Sequence, residues 1–322
     1  MPNTSANNPT ASIDLNFRHY LEVRDRQLST HLVGGIPDYS FSLDQKLRQK
    51  LTAMAPVRAM AQALVSWSVP IVHQLHLMES IAVGPQQYPN IYALGEDCSR
   101  RLGIGVPQIF IQSSAESDAY TFATDDITPV IVLSSHIAES FTVEELQFVI
   151  GHECGHIHNL HGVYNTICEI MTNQLAEGIL EAVPKQGALN LFIKSGLTIF
   201  FKRWSRYAEI TCDRAGLICC GDVNTAETTF VKLIMGSGKL LEKINIDAYR
   251  EQISKNPSAP IQLLELFNTH PLIPKRINAL RLFAECDIFH SWRPEAQTSN
   301  VRTKQETDNL CEQVVRVIPK GY

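Results

Sequence analysis

The 322-residue sequence has no Cys-x-x-Cys pair, no run of basic residues, no phosphate-binding loop and no uninterrupted apolar stretch of bilayer length. Each absence removes a class. Eight cysteines, none in a Cys-x-x-Cys pair, fit free thiols in a reducing compartment. With 28 basic against 33 acidic residues the net charge is -5, so nucleic acid is not an expected partner. Gly238-Lys239 lacks the earlier glycine of G-x-x-x-x-G-K-[ST], which argues for function without ATP. A membrane span needs about 18 or more apolar residues with few or no charges. Ala53 to Val83 carries Arg58, His73, His76 and Glu79, and Ala188 to Phe201 carries Asn190 and Lys194. Both read as buried or amphipathic helices, with membrane-surface contact by the second a less favoured alternative. Met1 to Thr10 has neither a charged start nor an apolar core, so it does not read as a secretory signal. A cytoplasmic protein with free thiols is the expectation.

What is present is an ordinary globular composition, 44% apolar and 19% charged. Such a chain can bury a large core. The expected divisions are a disordered 1–12, a helical 13–105, a core at 106–284 and a tail or helix at 285–322, folded as one compact body. Helices are expected at 13–32, 42–54, 57–83 (bent at Pro70) and 88–102. Three short β-prone stretches follow: Gln108 to Gln112, Ala119 to Ala123 and Thr128 to Leu133, with Asp125-Asp126 as a turn. From Thr142 onward the pattern is helical: 142–160, 162–182, 189–220, 225–234, 246–253, 262–267, 274–283 and 303–317. Strands first and helices afterwards predict an α+β, mostly helical fold with a small three-stranded sheet. There is no internal repeat, coiled coil or low-complexity tract.

The most informative stretch is Gly151-His152-Glu153-Cys154-Gly155-His156. Two histidines four apart share one face of a helix. With a glutamate after the first, they form the H-E-x-x-H arrangement of a zinc peptidase, two imidazole ligands and a base. Thr142 and Glu145 make a capping box at the start of that helix. Val143, Leu146, Val149, Ile150, Ile157 and Leu160 form an apolar arc, and Glu153 falls inside it. A buried carboxylate is expensive without a partner, so packing alone explains Glu153 poorly. Cys154 lies off the ligand face.

A catalytic zinc takes a third protein ligand from elsewhere in the chain. Glu209 is the candidate, with Asp213 one helical turn on. One carboxylate can bind metal while the other accepts the N–H of a ligand histidine. The same spacing also suits a solvated acidic face flanked by Arg206 and Arg214.

Three blocks in this order resemble the M48 family of gluzincin metallopeptidases, which includes the HtpX heat-shock proteases and the CAAX prenyl proteases. They are His152 to His156, Ser205-Arg206-Tyr207-Ala208-Glu209 with Asp213 and Gly216, and His270-Pro271 with Arg276. The resemblance implies one zinc ion per chain, held by His152, His156 and Glu209, with Glu153 as general base to a zinc-bound water. It also implies that Asp213 orients a ligand histidine and that Arg276 lies near the metal cleft, where it either pairs with a carboxylate such as Asp213 or braces the cleft. His270 is expected to stabilise the oxyanion or to latch the open zinc position, with Tyr207 a distant second donor. Peptide or unfolded-protein substrate is expected to lie antiparallel to the strand containing Ala119, Tyr120 and Thr121. The alternative function is a latched or non-catalytic zinc-containing chaperone or binding module. Many family members carry transmembrane helices. Here only 52 residues separate His156 from Glu209, which implies a soluble, minimal version.

Overall fold

The computed structural model describes residues 16–26, 31–55, 74, 78–124, 127–165, 197–236, 238, 240–254, 265, 268–296 and 301–317. The expected disordered start, most of the 57–83 helix, the Asp125-Asp126 turn, the 162–182 helix beyond residue 165, and 262–267 apart from Glu265 lie outside the described residues. So do residues 188–196 of the second apolar stretch. Among the described residues no helix is long and apolar enough to cross a membrane.

Helix α1 (Phe17–Arg26) is followed by a short hairpin, β1 (Leu32–Val33) and β2 (Ile36–Pro37), turning on Gly34 and Gly35, both at positive φ. The expected helix to Leu32 therefore ends earlier, because two glycines free to adopt φ > 0 favour a turn there. Helix α2 (Ser42–Ala53) precedes β3 (Ser80–Ala82), α3 (Pro89–Leu102), β4 (Gln108–Gln112), β5 (Ala119–Phe122) and β6 (Val130–Ser134). These last four strands form one sheet in the order β3-β4-β6-β5. Strands β4 and β6 are parallel, while β3 and β5 run antiparallel to their neighbours. The sheet thus has a fourth strand, inside a run read as helix. Ser80 to Ala82 pairs with Gln112 to Phe110, a tertiary pairing that outweighs local pattern.

Short α4 (Ser135–Ser140) leads to α5 (Val143–His158), which carries the two histidines. Thr142 and Glu145 cap it reciprocally as expected. Leu146, Val149, Ile150 and Ile157 are buried, but Val143 and Leu160 are 55% and 64% exposed. Leu160 lies beyond the helix end at positive φ, so it leaves the apolar arc. Then come α6 (Leu197–Cys220), α7 (Val223–Met235), α8 (Ile246–Ser254), α9 (Ile273–Ala284), α10 (Asp287–Trp292) and α11 (Lys304–Val315). Helix α10 was not legible in the weakly patterned tail.

Helix α5 is central, buried between β5 and α3 and the long α6. Its contact with α6 is unusually close. A Cβ on Gly151 would stand 2.5 Å from the Cys219 Cβ, and one on Gly155 2.8 Å from the Ala215 Cβ and 3.0 Å from the Cys212 Cα. Only glycine allows that approach, and it sets α6 carboxylates against α5 imidazoles. The chain at residues 39–44 lies against both helices. Tyr39 Oη meets His158 Nδ1 at 2.9 Å, and the Phe41 amide donates to Thr211 Oγ1 at 3.0 Å.

Candidate active site

Because α5 turns about 100° per residue, His152 and His156 project from one side. Their rings stand edge to face with centroids 5.1 Å apart. Helix α6 brings Glu209 between them. His152 Nε2 lies 3.4 Å from Glu209 Oε2, and His156 Nε2 lies 3.4 Å from Glu209 Oε1. All three residues are buried. Two imidazole nitrogens and one carboxylate from two helices are donor types that a metal ion could use.

Asp213, one turn beyond Glu209, reaches the other nitrogen of His152, with Nδ1 to Oδ1 at 3.0 Å. Arg276 from α9 closes the arrangement. Its Nε and Nη2 donate to Asp213 at 2.9 and 2.5 Å, and Nη2 lies 3.2 Å from Glu209 Oε2. A buried forked pair of this kind fixes carboxylate orientation as well as charge. Glu209 Oε2 is thereby braced, while Oε1 faces His156.

The charges respond to one another. Burial pulls the His152 pKa down, but the hydrogen bonds and charges of Asp213 and Glu209 override it and raise it to about 10. Burial pushes Glu209 up, yet His270, Arg276 and His152 hold it well below the usual carboxylate range. Asp213 is likewise lowered, chiefly by Arg276 and His152 acting against burial. Two buried carboxylates set against two imidazoles, with Arg276 as their guanidinium partner, make a pocket that attracts positive charge. On that observation the residues suit a divalent cation.

Cys212 also comes near. Its sulfur and one ring nitrogen from each of His152 and His156 lie within 4.8 Å of one another. Glu209 differs in facing both Nε2 atoms, one with each carboxylate oxygen. The Cys212 sulfur sits 3.6 Å from His161 Nδ1, a nitrogen itself 3.2 Å from His156 Nδ1, and so borders the side of His156 away from Glu209. Burial, with Glu209, Asp44, Glu153 and Asp213 nearby, pushes the thiol well above its usual pKa. A metal ligand must be the thiolate.

Glu153 is buried, and Thr121 Oγ1 from β5 donates to its Oε2 at 2.6 Å. Thr121 was expected only as part of a substrate strand, and no local signal in the chain marks this contact. Strand β5 is an edge of the sheet and packs along α5. Tyr120 faces the opposite side, packed with Phe110, Val130 and Val132, and donates to Gln112 Oε1 at 2.8 Å. Ala119 packs against the main core. His270 is brought to the site, with Nε2 3.6 Å from Glu209 Oε2 and 55% of its side chain exposed. The loop before it is held by Arg206, whose Nη1 donates to the Asn268 carbonyl at 2.8 Å. Tyr207 packs edge-on to Phe41 in a second core cluster, so its contacts place it with the core. Sequence reading also missed His161 and Asp44, which stand behind His156.

A family model described as Peptidase family M48 matches residues 85–284. Among similar proteins, the chain is 29% identical over 231 residues to the plastoglobule-localized metallopeptidase 48 of Arabidopsis thaliana chloroplasts, covering 70% of this chain and 64% of that protein. It is 23% identical over 221 residues to a Protease HtpX homolog of Thermococcus kodakarensis, covering 63% and 76%. It is 24% identical over 209 residues to Protease HtpX of Acinetobacter baumannii, covering 57% and 68%. The match thus spans slightly less than two thirds of the plant protein's length. No solved structure matches the chain significantly.

Proposed function

The chain belongs to peptidase family M48, and from that premise we propose that it is a zinc-dependent endopeptidase acting on peptides or unfolded protein. One zinc ion per chain would be held by His152, His156 and Glu209. When bound, it supplies Lewis acidity that lowers the pKa of a water toward about 7 and polarises the scissile carbonyl.

The residues of the chain do the rest. Thr121 donates to one oxygen of Glu153 and leaves the other for the proton. Glu153 takes that proton from the attacking water and hands it to the departing amine. Asp213 accepts from His152 Nδ1, so Nε2 keeps its lone pair for the metal. Arg276 holds both carboxylates in place. His270 supplies a donor for the oxyanion. The peptide backbone would add beside β5, the edge strand next to α5, with little sequence selectivity. Tyr120 would contribute main chain alone, because its side chain faces away.

The observation that carries this reading is the convergence of two Nε2 atoms on one carboxylate beside a buried, hydrogen-bonded glutamate. Glu153→Gln should keep stoichiometric zinc and lose peptide hydrolysis by about 10²-fold or more, the scale of general base catalysis. Hydrolysis at the wild-type rate would refute it.

A second reading has one specific support. His270 Nε2 lies close enough to Glu209 to reach the same ion, which would latch the site and leave a binding module. Activity that rises in His270→Ala supports the latch. A fall of about 10²-fold supports the donor role. The name of the plant relative places that protein at chloroplast plastoglobules, so it lends no support to a cytoplasmic location for this one.

A further inference from the structure

Behind His156 lies a buried chain of polar groups that runs out of the family-matched region. His156 Nδ1 is 3.2 Å from His161 Nδ1, and His161 Nε2 is 3.1 Å from Asp44 Oδ2. Asp44 comes from α2, well before residue 85, where the family match begins. Two further donors fix the Asp44 carboxylate: Trp204 Nε1 to Oδ1 at 2.9 Å and Thr211 Oγ1 to Oδ2 at 2.7 Å. Asp44, His161, Trp204 and Thr211 are all buried.

We infer that Asp44 is a positioning residue for the metal centre, acting through His161 to hold His156 with its proton on Nδ1 and its Nε2 lone pair toward the ion. The inference rests on His156 being a metal ligand. Its logic is a sequence of donors and acceptors. A carboxylate only accepts, so His161 must donate from Nε2. The Nδ1 of His161 is then a bare acceptor. It accepts a hydrogen bond from His156 Nδ1–H, which leaves the His156 Nε2 lone pair free on the side of Glu209. Asn165 Nδ2 lies 3.0 Å from His156 Nδ1; with the proton on that nitrogen the amide must be turned over so that its oxygen accepts there, an exchange of ends that the heavy-atom positions permit. The Cys212 thiol is a second, weaker donor to His161 Nδ1. His152 has Asp213 for this task, and His156 has Asp44 acting through His161.

Asp44→Asn makes the inference testable, because the indole N–H of Trp204 can only donate. It draws the oxygen of the new amide to itself and turns the NH₂ toward His161 Nε2. That makes His161 Nε2 the acceptor and Nδ1 the donor. His156 then carries its proton on Nε2, the wrong side for an ion. Zinc affinity, read by competition with a chromophoric chelator, should fall about 10–100-fold, the usual effect of losing a partner of a ligand histidine. The visible absorption of the cobalt(II)-substituted protein should change in position and intensity. In Asp44→Asn combined with Trp204→Phe, the amide is free to turn its oxygen to His161, and affinity and spectrum should return toward wild type. A merely structural role for Asp44 gives no such rescue. Should Asp44→Asn fail to fold, His161→Gln takes its place. It keeps a donor to Asp44, removes the acceptor facing His156, and should show the same loss of affinity. Wild-type affinity and cobalt spectrum in whichever of these variants folds would overturn the inference while leaving the zinc site standing. His156→Ala separates the two readings, since zinc bound there at wild-type affinity would sink the site itself.

Discussion

Substituting Gly155 by alanine sets two effects of opposite sign against each other. Within an isolated helix the change should stabilise by about 1 kcal/mol, because glycine is the poorer helix former. In this protein the added Cβ would stand 2.8 Å from the Ala215 Cβ and 3.0 Å from the Cys212 Cα. Carbon atoms prefer about 3.5–4.0 Å, so α6 must withdraw by about 0.7–1.2 Å at that level. Overpacking of this kind costs about 1–3 kcal/mol, which cancels or exceeds the helical gain. The larger effect falls on the site, since Glu209 and Asp213 lie on α6 within two turns of the clash. Metal ligands tolerate about 0.2 Å of misplacement. We expect Gly155→Ala to unfold at or a few degrees below the wild-type Tm and to bind zinc at least tenfold more weakly in a chelator competition. Adding Ala215→Gly should restore part of the affinity. A Gly155→Ala protein with raised Tm and wild-type zinc affinity would refute the close-packing account.

Two further outcomes follow from the charges. Arg276→Ala leaves Asp213 and Glu209 buried without their cation, so it should destabilise the metal-free protein by about 3–5 kcal/mol in denaturant titrations; a loss under 1 kcal/mol would show that Arg276 is dispensable there. In the metal-free protein His152 is raised from 6.5 to about 10, so its contribution to stability is full below about pH 6.5 and is lost as pH climbs through about 10. Glu209 and Asp213 are depressed, so theirs is present above their ordinary carboxylate values and is lost as pH falls below those values. Zinc uptake at pH 7 should accordingly release a proton, measurable by calorimetry in buffers of different ionisation enthalpy. Uptake without proton release would contradict the His152 assignment.

Much of the site was legible because it is built from helical repeats. The i,i+4 spacings of His152 with His156 and Glu209 with Asp213 give a shared face, and Thr142 with Glu145 gives the helix start. Strands β4, β5 and β6 showed in their β-prone composition. What escaped were pairings set by the tertiary fold. Nothing local in Asp44 marks it as the partner of His161, 117 positions away. Thr121 reads as an ordinary strand residue, although its hydroxyl meets the buried Glu153 carboxylate. Ser80 to Ala82 sits in an apolar run whose periodicity suits a helix, and only the open side of β4 makes it a strand. Arg276 was expected to pair with a carboxylate or to brace the cleft; that it spans two carboxylates was not readable from the chain.

The buried charges say why the site needs an ion. Under the proposed function, in which Glu153 is the base, Glu153, Glu209 and Asp213 place three carboxylates around the two imidazoles. One guanidinium, Arg276, faces them from the protein side. Two negative charges are left over in a place where unpaired charge is expensive. A proton on His152 offsets one of them, which is why that imidazole is pulled to about 10. His270 faces Glu209 with half its side chain in solvent. On the same proposal, a divalent cation at the two Nε2 atoms would offset both and displace the proton. It also leaves His152 and His156 neutral, which is the form in which imidazole binds metal. Helix packing at Gly151 and Gly155 brings the groups together, and the excess of carboxylate makes their proximity tolerable only when positive charge is bound between them.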